Sequence, residues 1–271
     1  FINVTDGFKA RATRNGSAAT INAMGIAKGD YDNDGDPDLY ITNIRENPLF
    51  KNVDEGNFFS YASAQAGVDL PELTSWGTSF TDFNLDGLLD LVVANGQVAE
   101  VVNGPEPTTL FLNEGDGGFV DISEASGMEE VKLIGRGLAV ADYDLDGLPD
   151  VAMNAVQEDV NGAERARLLH NTSDSNGHWL AVSPPFGTLR LELYAGGETL
   201  FRETDGGSSY LSHSAVPVYF GSITATDIDS LVVHFQDVRS VFYDVPWDQL
   251  IAVNQDGSWH GITHISTVRC A

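Results

Sequence analysis

Hydrophobic and polar positions along this chain alternate in short runs broken by turn residues. Nowhere do they sustain the 3.6-residue period of a helix. Three apolar segments opened by glycine, "GIAKGD" (25–30), "GTSFTD" (77–82) and "GLAVAD" (137–142), each lead into an acidic loop. A strand-like run follows each loop: "LYITN", "LLDLVVAN" and "VAMNAV". The first two copies then continue alike, "NPLFKNVDEGNFFSYASAQAGV" (47–68) against "TTLFLNEGDGGFVDISEASGM" (108–128). Short strands at a repeat of roughly 50–60 residues predict an all-β fold of propeller-type blades. The best helical candidate is a single turn around "SYASAQAGV", ended by Gly67.

The third copy departs from the pattern. "RLLHNTSDSNGHWLAV" (167–182) begins like its predecessors, but no closing strand follows. Alternating β sequence takes over instead, in "LRLELYAGG", "ETLFRET", "VPVYFG", "SLVVHF" and "SVFYDV". These segments predict two domains: repeats over residues 1–172 and a β-sandwich-like domain over 173–271. The opening "FINVTDGF" reads as an orphan closing strand, comparable to "FVDIS" (119–123). Closed propellers have typically four to eight blades, so about three should not close a ring alone. Two expectations follow. Either residues 1–8 finish an earlier blade of a longer propeller, or they are exchanged onto the third repeat of another copy.

Composition narrows the functional classes. Forty acidic against fourteen basic residues give a formal net charge of −26, which excludes nucleic acid and anionic lipid as natural partners. No apolar run approaches the ~20 residues needed to span a bilayer, so no membrane insertion is expected. The one cysteine, Cys270, allows no disulfide within the chain and is compatible with a surface thiol or an intermolecular link. A start at Phe1 rather than methionine fits a processed or excised segment.

The acidic loops carry the chemistry: "DYDNDGDPD" (30–38), "DFNLDGLLD" (82–90) and "DYDLDGLPD" (142–150). Side chains at positions 1, 3 and 5 of such a loop can converge on one centre, and glycine at position 6 permits the reversal that brings later residues back. Position 7 then offers a carbonyl and position 9 a carboxylate. The predicted ligands are Asp30, Asp32, Asp34, the Asp36 carbonyl and Asp38 in the first loop. They are Asp82, Asn84, Asp86, the Leu88 carbonyl and Asp90 in the second, and Asp142, Asp144, Asp146, the Leu148 carbonyl and Asp150 in the third. All are hard oxygens, which suits Ca²⁺ better than Mg²⁺ or Zn²⁺. About three Ca²⁺ sites are therefore expected. Position 12 is Ile41, Val93 or Met153 rather than glutamate, so an EF-hand does not fit.

With these surroundings, "GIAKGDYDNDGDPDLYITN" resembles the FG-GAP/VCBS-type repeats of integrin-α-like β-propellers. The segment "NGHWLAV…LELYAGGETLFRET…GGSSYLSH…VPVYFG…DSLVVHF" is similar to the ASPIC/UnbV domain. The pairing resembles secreted, acidic CRTAC-like proteins and their bacterial relatives. Two departures stand out: the hairpin before the "ARV" strand is shortened to "PPFGT" (184–188), and "WPSG" is replaced by "FQDV" (235–238). The resemblance implies an extracellular or surface location, structural calcium and a role in binding or adhesion, with a protein, a glycan or further copies of the chain as partner.

No nucleophile elbow, phosphate-binding loop or dinucleotide fingerprint occurs, and a non-enzymatic role is expected. "GGSSYLSH" (206–213) brings together Ser208, Ser209, Tyr210 and His213 and reads as a hydroxyl-rich turn. His260 and His264 read as a surface pair rather than a metal site. Trp76 is expected between blades, whereas Trp259 is the freest candidate for sugar stacking. The alternatives to an adhesion or assembly protein are a carbohydrate-binding module and an accessory or catalytic domain of a secreted enzyme.

Overall fold

The computed structural model describes residues 22–53, 58–98, 104–156, 166–174, 177–204, 206–215, 217–235 and 238–262, with the strand backbone of 13–14 and 17–18. Residues 1–8, His264 and Cys270 lie outside the described residues, and so do the expectations that fall on them.

After a short ladder of β1 (Thr13–Arg14) with β2 (Ser17–Ala18), the chain builds a four-stranded antiparallel sheet. Its strands, in spatial order, are β3 (Ile26–Gly29), β4 (Asp38–Ile41), β5 (Leu49–Val53) and β6 (Phe58–Tyr61). One helical turn, α1 (Ser63–Ala66), follows and stops at Gly67, whose φ of 77° is left-handed. The second sheet repeats the order with β7 (Ser75–Thr81), β8 (Asp90–Asn95), β10 (Thr109–Asn113) and β11 (Phe119–Asp121). A two-residue ladder, β9 (Glu106–Pro107) with β12 (Lys132–Leu133), bridges towards the third sheet. Among the described residues that sheet has three strands: β13 (Gly135–Ala141), β14 (Asp150–Ala155) and β15 (Ala166–Leu169). The chain is all-β and propeller-like, with its sheets as blades and β3, β7 and β13 as their first strands.

Apolar side chains fill the spaces between blades. Tyr31, Tyr40, Leu49, Leu91, Phe111 and Phe119 form the core between the first and second, and Phe83, Val92, Leu110, Leu138, Val151 and Met153 that between the second and third. Asn113 ties one blade to the previous one, donating from Nδ2 to the carbonyls of Tyr31 (2.7 Å) and Leu89 (3.0 Å). Asn171 repeats this with Phe83 (2.9 Å) and Pro149 (3.1 Å). Trp76 sits where the sequence places it: its Nε1 donates to Gly96 O at 2.6 Å, and Arg136 of β13 lies 3.8 Å from its ring centroid.

The C-terminal part is a sandwich of two four-stranded sheets. One orders β19 (Val218–Ser222), β16 (His178–Ser183), β22 (Gln249–Val253) and β23 (Trp259–Gly261), with β16 and β22 parallel. The other orders β18 (Glu198–Glu203), β17 (Thr188–Ala195), β20 (Ile228–Phe235) and β21 (Val238–Phe242). Alternation along each strand sends Leu180, Leu191, Leu193, Phe220, Leu231 and Ile251 inward to one core.

The segment 208–215 between β18 and β19 joins sandwich to blades. Ser209 N donates to Ile26 O of the first blade at 2.7 Å, and Ser209 Oγ accepts from Thr78 N of the second at 3.1 Å. Along the third blade, Ser212 Oγ accepts from Leu138 N (3.0 Å), Ser214 Oγ from Val140 N (3.1 Å), and Ala215 N donates to Val140 O (2.8 Å). Ser209, Ser212 and Ser214 thus satisfy backbone groups on the first strands of all three blades, through the Ser209 N–H on the first and through hydroxyls on the second and third. The glycines opening those strands show why a side chain is excluded. A Cβ on Gly25 would collide with Trp76 O, one on Gly77 would lie 2.6 Å from Leu138 N, and one on Gly137 would lie 2.9 Å from Ser212 Oγ. The first two glycines admit the next blade; the third admits the sandwich's connecting segment.

Candidate metal centre

Three loops of identical construction join β3 to β4, β7 to β8 and β13 to β14. In each, the position-1 aspartate receives two backbone N–H groups from positions 5 and 6. Asp30 accepts from Asp34 (3.0 Å) and Gly35 (2.8 Å), Asp82 from Asp86 (3.1 Å) and Gly87 (2.9 Å), and Asp142 from Asp146 (3.2 Å) and Gly147 (2.9 Å). These bonds hold position 4 in the left-handed region, with φ of 52° at Asn33, 60° at Leu85 and 64° at Leu145. Position 6 follows at 95°, 92° and 96° in Gly35, Gly87 and Gly147, where glycine carries no steric cost.

The position-9 aspartate fixes the loop's exit. Asp38 accepts from Tyr31 N (3.2 Å) and Asn52 N (2.7 Å), Asp90 from Phe83 N (2.9 Å) and Asn113 N (3.0 Å), and Asp150 from Tyr143 N (3.1 Å) and Asn171 N (2.8 Å). Each carboxylate oxygen retains a lone pair after accepting one bond. Position 5 closes a smaller turn, accepting from the N–H of position 7: Asp36 to Asp34 at 3.0 Å, Leu88 to Asp86 at 2.8 Å and Leu148 to Asp146 at 2.9 Å.

The loops therefore crowd negative charge around inner carboxylates that are buried, with Asp34, Asp144 and Asp146 on the solvent side. Carboxylate oxygens of Asp30, Asp32 and Asp38 lie within 4.8 Å of one another, and so do those of Asp142, Asp144 and Asp150. Asp30, Asp38, Asp82, Asp90, Asp142 and Asp150 are buried. Burial pushes the Asp38 carboxyl up to about 8 and those of Asp30 and Asp82 up to about 6, with neighbouring carboxylates adding to the shift. It raises Asp32, Asp90 and Asp142 as well. In the second loop Asn84 replaces a carboxylate and donates from Nδ2 to Asp86 Oδ2 at 2.9 Å.

One position outside the loops faces them and differs each time. In or just after the third strand of each blade, "FKN" (50–52), "FLN" (111–113) and "LHN" (169–171) place Lys51, Leu112 or His170 beside its loop. Lys51 Nζ contacts Asp32 Oδ2 and lies 3.3 Å from Asp34 Oδ2. His170 Nε2 lies 3.2 Å from Asp144 Oδ2 and 3.6 Å from Asp146 Oδ2. The recurrence of that tripeptide is visible in the sequence, but its direction towards the loop is a property of strand pairing.

The FG-GAP-like repeat family matches residues 30–93 and again 82–153, and the ASPIC and UnbV family matches 187–258. The chain carries FG-GAP-like repeats followed by an ASPIC and UnbV domain. Among curated proteins it is similar to cartilage acidic protein 1 of Xenopus tropicalis, 43% identical over 67 residues, which are 25% of this chain and 10% of that protein. It is also similar to cartilage acidic protein 1 of Homo sapiens, 39% identical over 80 residues, 30% of this chain and 12% of that protein. The chain thus matches only about a tenth of the length of these relatives.

The FG-GAP-like loops dock on the ASPIC and UnbV domain. Arg190 Nη1 donates to Gly35 O at 2.8 Å while its guanidinium lies 4.1 Å from the Phe201 ring centroid. Buried Arg202 donates from Nη2 to Gly87 O at 3.0 Å. Trp179 covers Gly147, where any Cβ would collide with the indole. None of the tryptophans stands free: Trp247 and Trp259 pack against the sandwich core, so Trp259 is not the open platform its place near the tail suggests. No helix among the described residues is long and apolar enough to cross a membrane.

Proposed function

We propose that this is a calcium-stabilised, extracellular, non-enzymatic binding protein. Its three FG-GAP-like loops hold divalent ions that lock the blades to the ASPIC and UnbV domain. The observation carrying this reading is the pairing of each loop's two faces: a cluster of oxygen donors on one side, and a glycine seated on the sandwich on the other. The donor set fits the ion, since hard oxygens suit Ca²⁺ and positions 1, 3, 5, 7 and 9 supply five of the six to eight it takes, with water or a bidentate carboxylate completing the shell. In the first loop Asp30, Asp32, Asp34, the Asp36 carbonyl and Asp38 would hold it. The second would use Asp82, Asn84, Asp86, the Leu88 carbonyl and Asp90. The third would use Asp142, Asp144, Asp146, the Leu148 carbonyl and Asp150. When bound, the ion supplies charge neutralisation; the chain's own residues supply the turn, the burial and the contact with the sandwich.

An extracellular setting is supported by the acidity of the chain and by all-oxygen sites of a kind that, in extracellular modules, fill at millimolar calcium. The binding role is supported by the hydroxyls of Ser209, Ser212 and Ser214, which are spent on blade backbone rather than held against a base. A partner is then a protein, a glycan or a further copy of the chain. Differential scanning calorimetry with EDTA and then excess Ca²⁺ tests the reading: an unfolding temperature that falls and recovers supports it, and one that ignores both treatments refutes it.

A further inference from the structure

We propose that His170, Asp144 and Asp146 form an outer metal site on the third loop, one that takes a borderline divalent ion, Zn²⁺ or its like, beside the inner calcium cage. It rests on the calcium reading for the inner ion alone; the outer ion has a nitrogen ligand that no cage contains.

The three loops differ in charge, and the residue facing each follows the difference. Positions 1, 3, 5 and 9 carry four aspartates in the first loop, three in the second, where Asn84 stands, and four in the third. Lys51 brings an ammonium to the first, and Leu112 faces the second, which has one carboxylate fewer. With one divalent ion in each cage, both loops are left with the same small surplus of negative charge. The third has the four carboxylates of the first but no lysine. What faces it is His170, a side chain that acquires positive charge only by taking up a proton or a metal ion.

Distance decides between those two. An imidazolium pairs with a carboxylate at about 2.7–2.9 Å. Two other histidine–carboxylate pairs among the described residues do so: His178 Nδ1 with Asp248 Oδ2 and His234 Nε2 with Glu192 Oε1, each at 2.8 Å. His170 Nε2 instead stands off from two oxygens at once, 3.2 Å from Asp144 Oδ2 and 3.6 Å from Asp146 Oδ2. Ligands about 2.0–2.2 Å from a tetrahedral ion lie roughly 3.3–3.6 Å from one another, close to the spacing found here. One ligand atom from each of the three residues lies within 4.8 Å of the others.

The surroundings suit a second ion. Asp146 Oδ1 is taken by the loop's small turn, where it accepts from Leu148 N, and Oδ2 is the oxygen towards His170. The Tyr143 ring meets the imidazole edge-on, with centroids 5.6 Å apart, and limits its swing. Asp144 also groups with buried Asp142 and Asp150, so one carboxylate links the inner cage to the outer site. The three outer side chains are 35–43% exposed, which leaves a fourth position open to water or to a donor from a partner. Imidazole nitrogen beside carboxylate oxygen selects Zn²⁺ over Ca²⁺, which takes oxygens.

Native mass spectrometry of the full chain in millimolar Ca²⁺, with Zn²⁺ added at micromolar concentration, tests this. One Zn²⁺ per chain should appear beyond the calcium already bound. His170→Leu, which copies the second loop, should keep the calcium and weaken that zinc by about tenfold or more in titration calorimetry. Co²⁺ in place of Zn²⁺ should give visible absorption bands that vanish in His170→Leu and persist in His178→Ala. Absence of zinc binding, zinc indifferent to His170→Leu, or zinc that replaces a calcium ion rather than adding to it overturns the outer site. The two readings fail separately: His170-dependent zinc on a chain without calcium refutes the cage and upholds the outer site, and calcium without zinc does the reverse.

Discussion

Arg202 donates to Gly87 across 115 residues of chain, from Nη2 to the carbonyl oxygen at 3.0 Å, and so fixes a turn of the second blade to the sandwich. The same guanidinium donates to Phe201 O (2.9 Å) and Tyr219 O (3.3 Å), and Asp82 lies close enough to favour its charge. Burial works against that charge and lowers the pKa of the group, so the carbonyls and Asp82 are what keep an arginine in this place. Arg202→Met removes the donor and leaves those carbonyls buried. Its expected cost is about 3–5 kcal/mol, the range for breaking a buried charged network, measured by urea unfolding. A loss below about 1 kcal/mol would show that the junction does not depend on it.

Calcium dependence should divide among the loops. Extracellular-type sites bind with dissociation constants of roughly 0.1–1 mM, so a tenfold excess of ion adds about 1.4 kcal/mol per site. Asp34→Ala, Asp86→Ala and Asp146→Ala should each remove about one site's share of the calcium-induced rise in unfolding temperature. A single variant that abolishes the whole rise would mean that only one loop binds.

The ion-free chain should lose stability as pH rises. Asp30 and Asp82 are pushed up to about 6 and Asp38 to about 8 in the fold, against an unfolded value of 3.8. A folded pKa above the unfolded one gives stability that is full below pH 3.8 and declines as pH climbs through 6 to 8. With EDTA present, the contribution of these groups should therefore make the unfolding temperature higher at pH 5 than at pH 8. Saturating Ca²⁺ should shrink or invert that difference. A flat EDTA profile would show that the carboxylates are not crowded in solution.

Lys51 places an ammonium against Asp32 and Asp34. Burial opposes its charge, yet the two carboxylates hold its pKa above the ordinary lysine value. It competes with the ion for the first loop. Lys51→Met should tighten calcium binding there severalfold by titration calorimetry, and Leu112→Lys should weaken the second loop in the same measure. Unchanged isotherms in both variants would remove the competition.

The blade-to-blade ties of Asn113 and Asn171 predict a smaller effect. Asn113→Ala deprives Tyr31 O and Leu89 O of a donor, at about 1–3 kcal/mol for buried groups left unpaired, readable by thermal unfolding.

Much of this was legible in the chain. The loops, the glycines before β3, β7 and β13 and the all-β sandwich all follow from local pattern, because each is decided by residues a few positions apart. The role of "GGSSYLSH" was not legible. The segment looks like a polar turn until Ser209 and Ser212, with the following Ser214, are seen against Ile26, Thr78, Leu138 and Val140, far away in sequence. Arg190, Arg202 and Trp179 were invisible as loop partners for the same reason: their targets are backbone atoms of glycines, which carry no side-chain signal. Trp259 misled because proximity to the tail says nothing of packing.

The central claim is that each of the three loops holds a divalent ion that binds blades to sandwich. A native mass spectrum recorded in millimolar Ca²⁺ and again after EDTA tests it most directly. The account predicts three ions per chain in the first spectrum and none in the second. A chain that carries no calcium at millimolar concentration would contradict it.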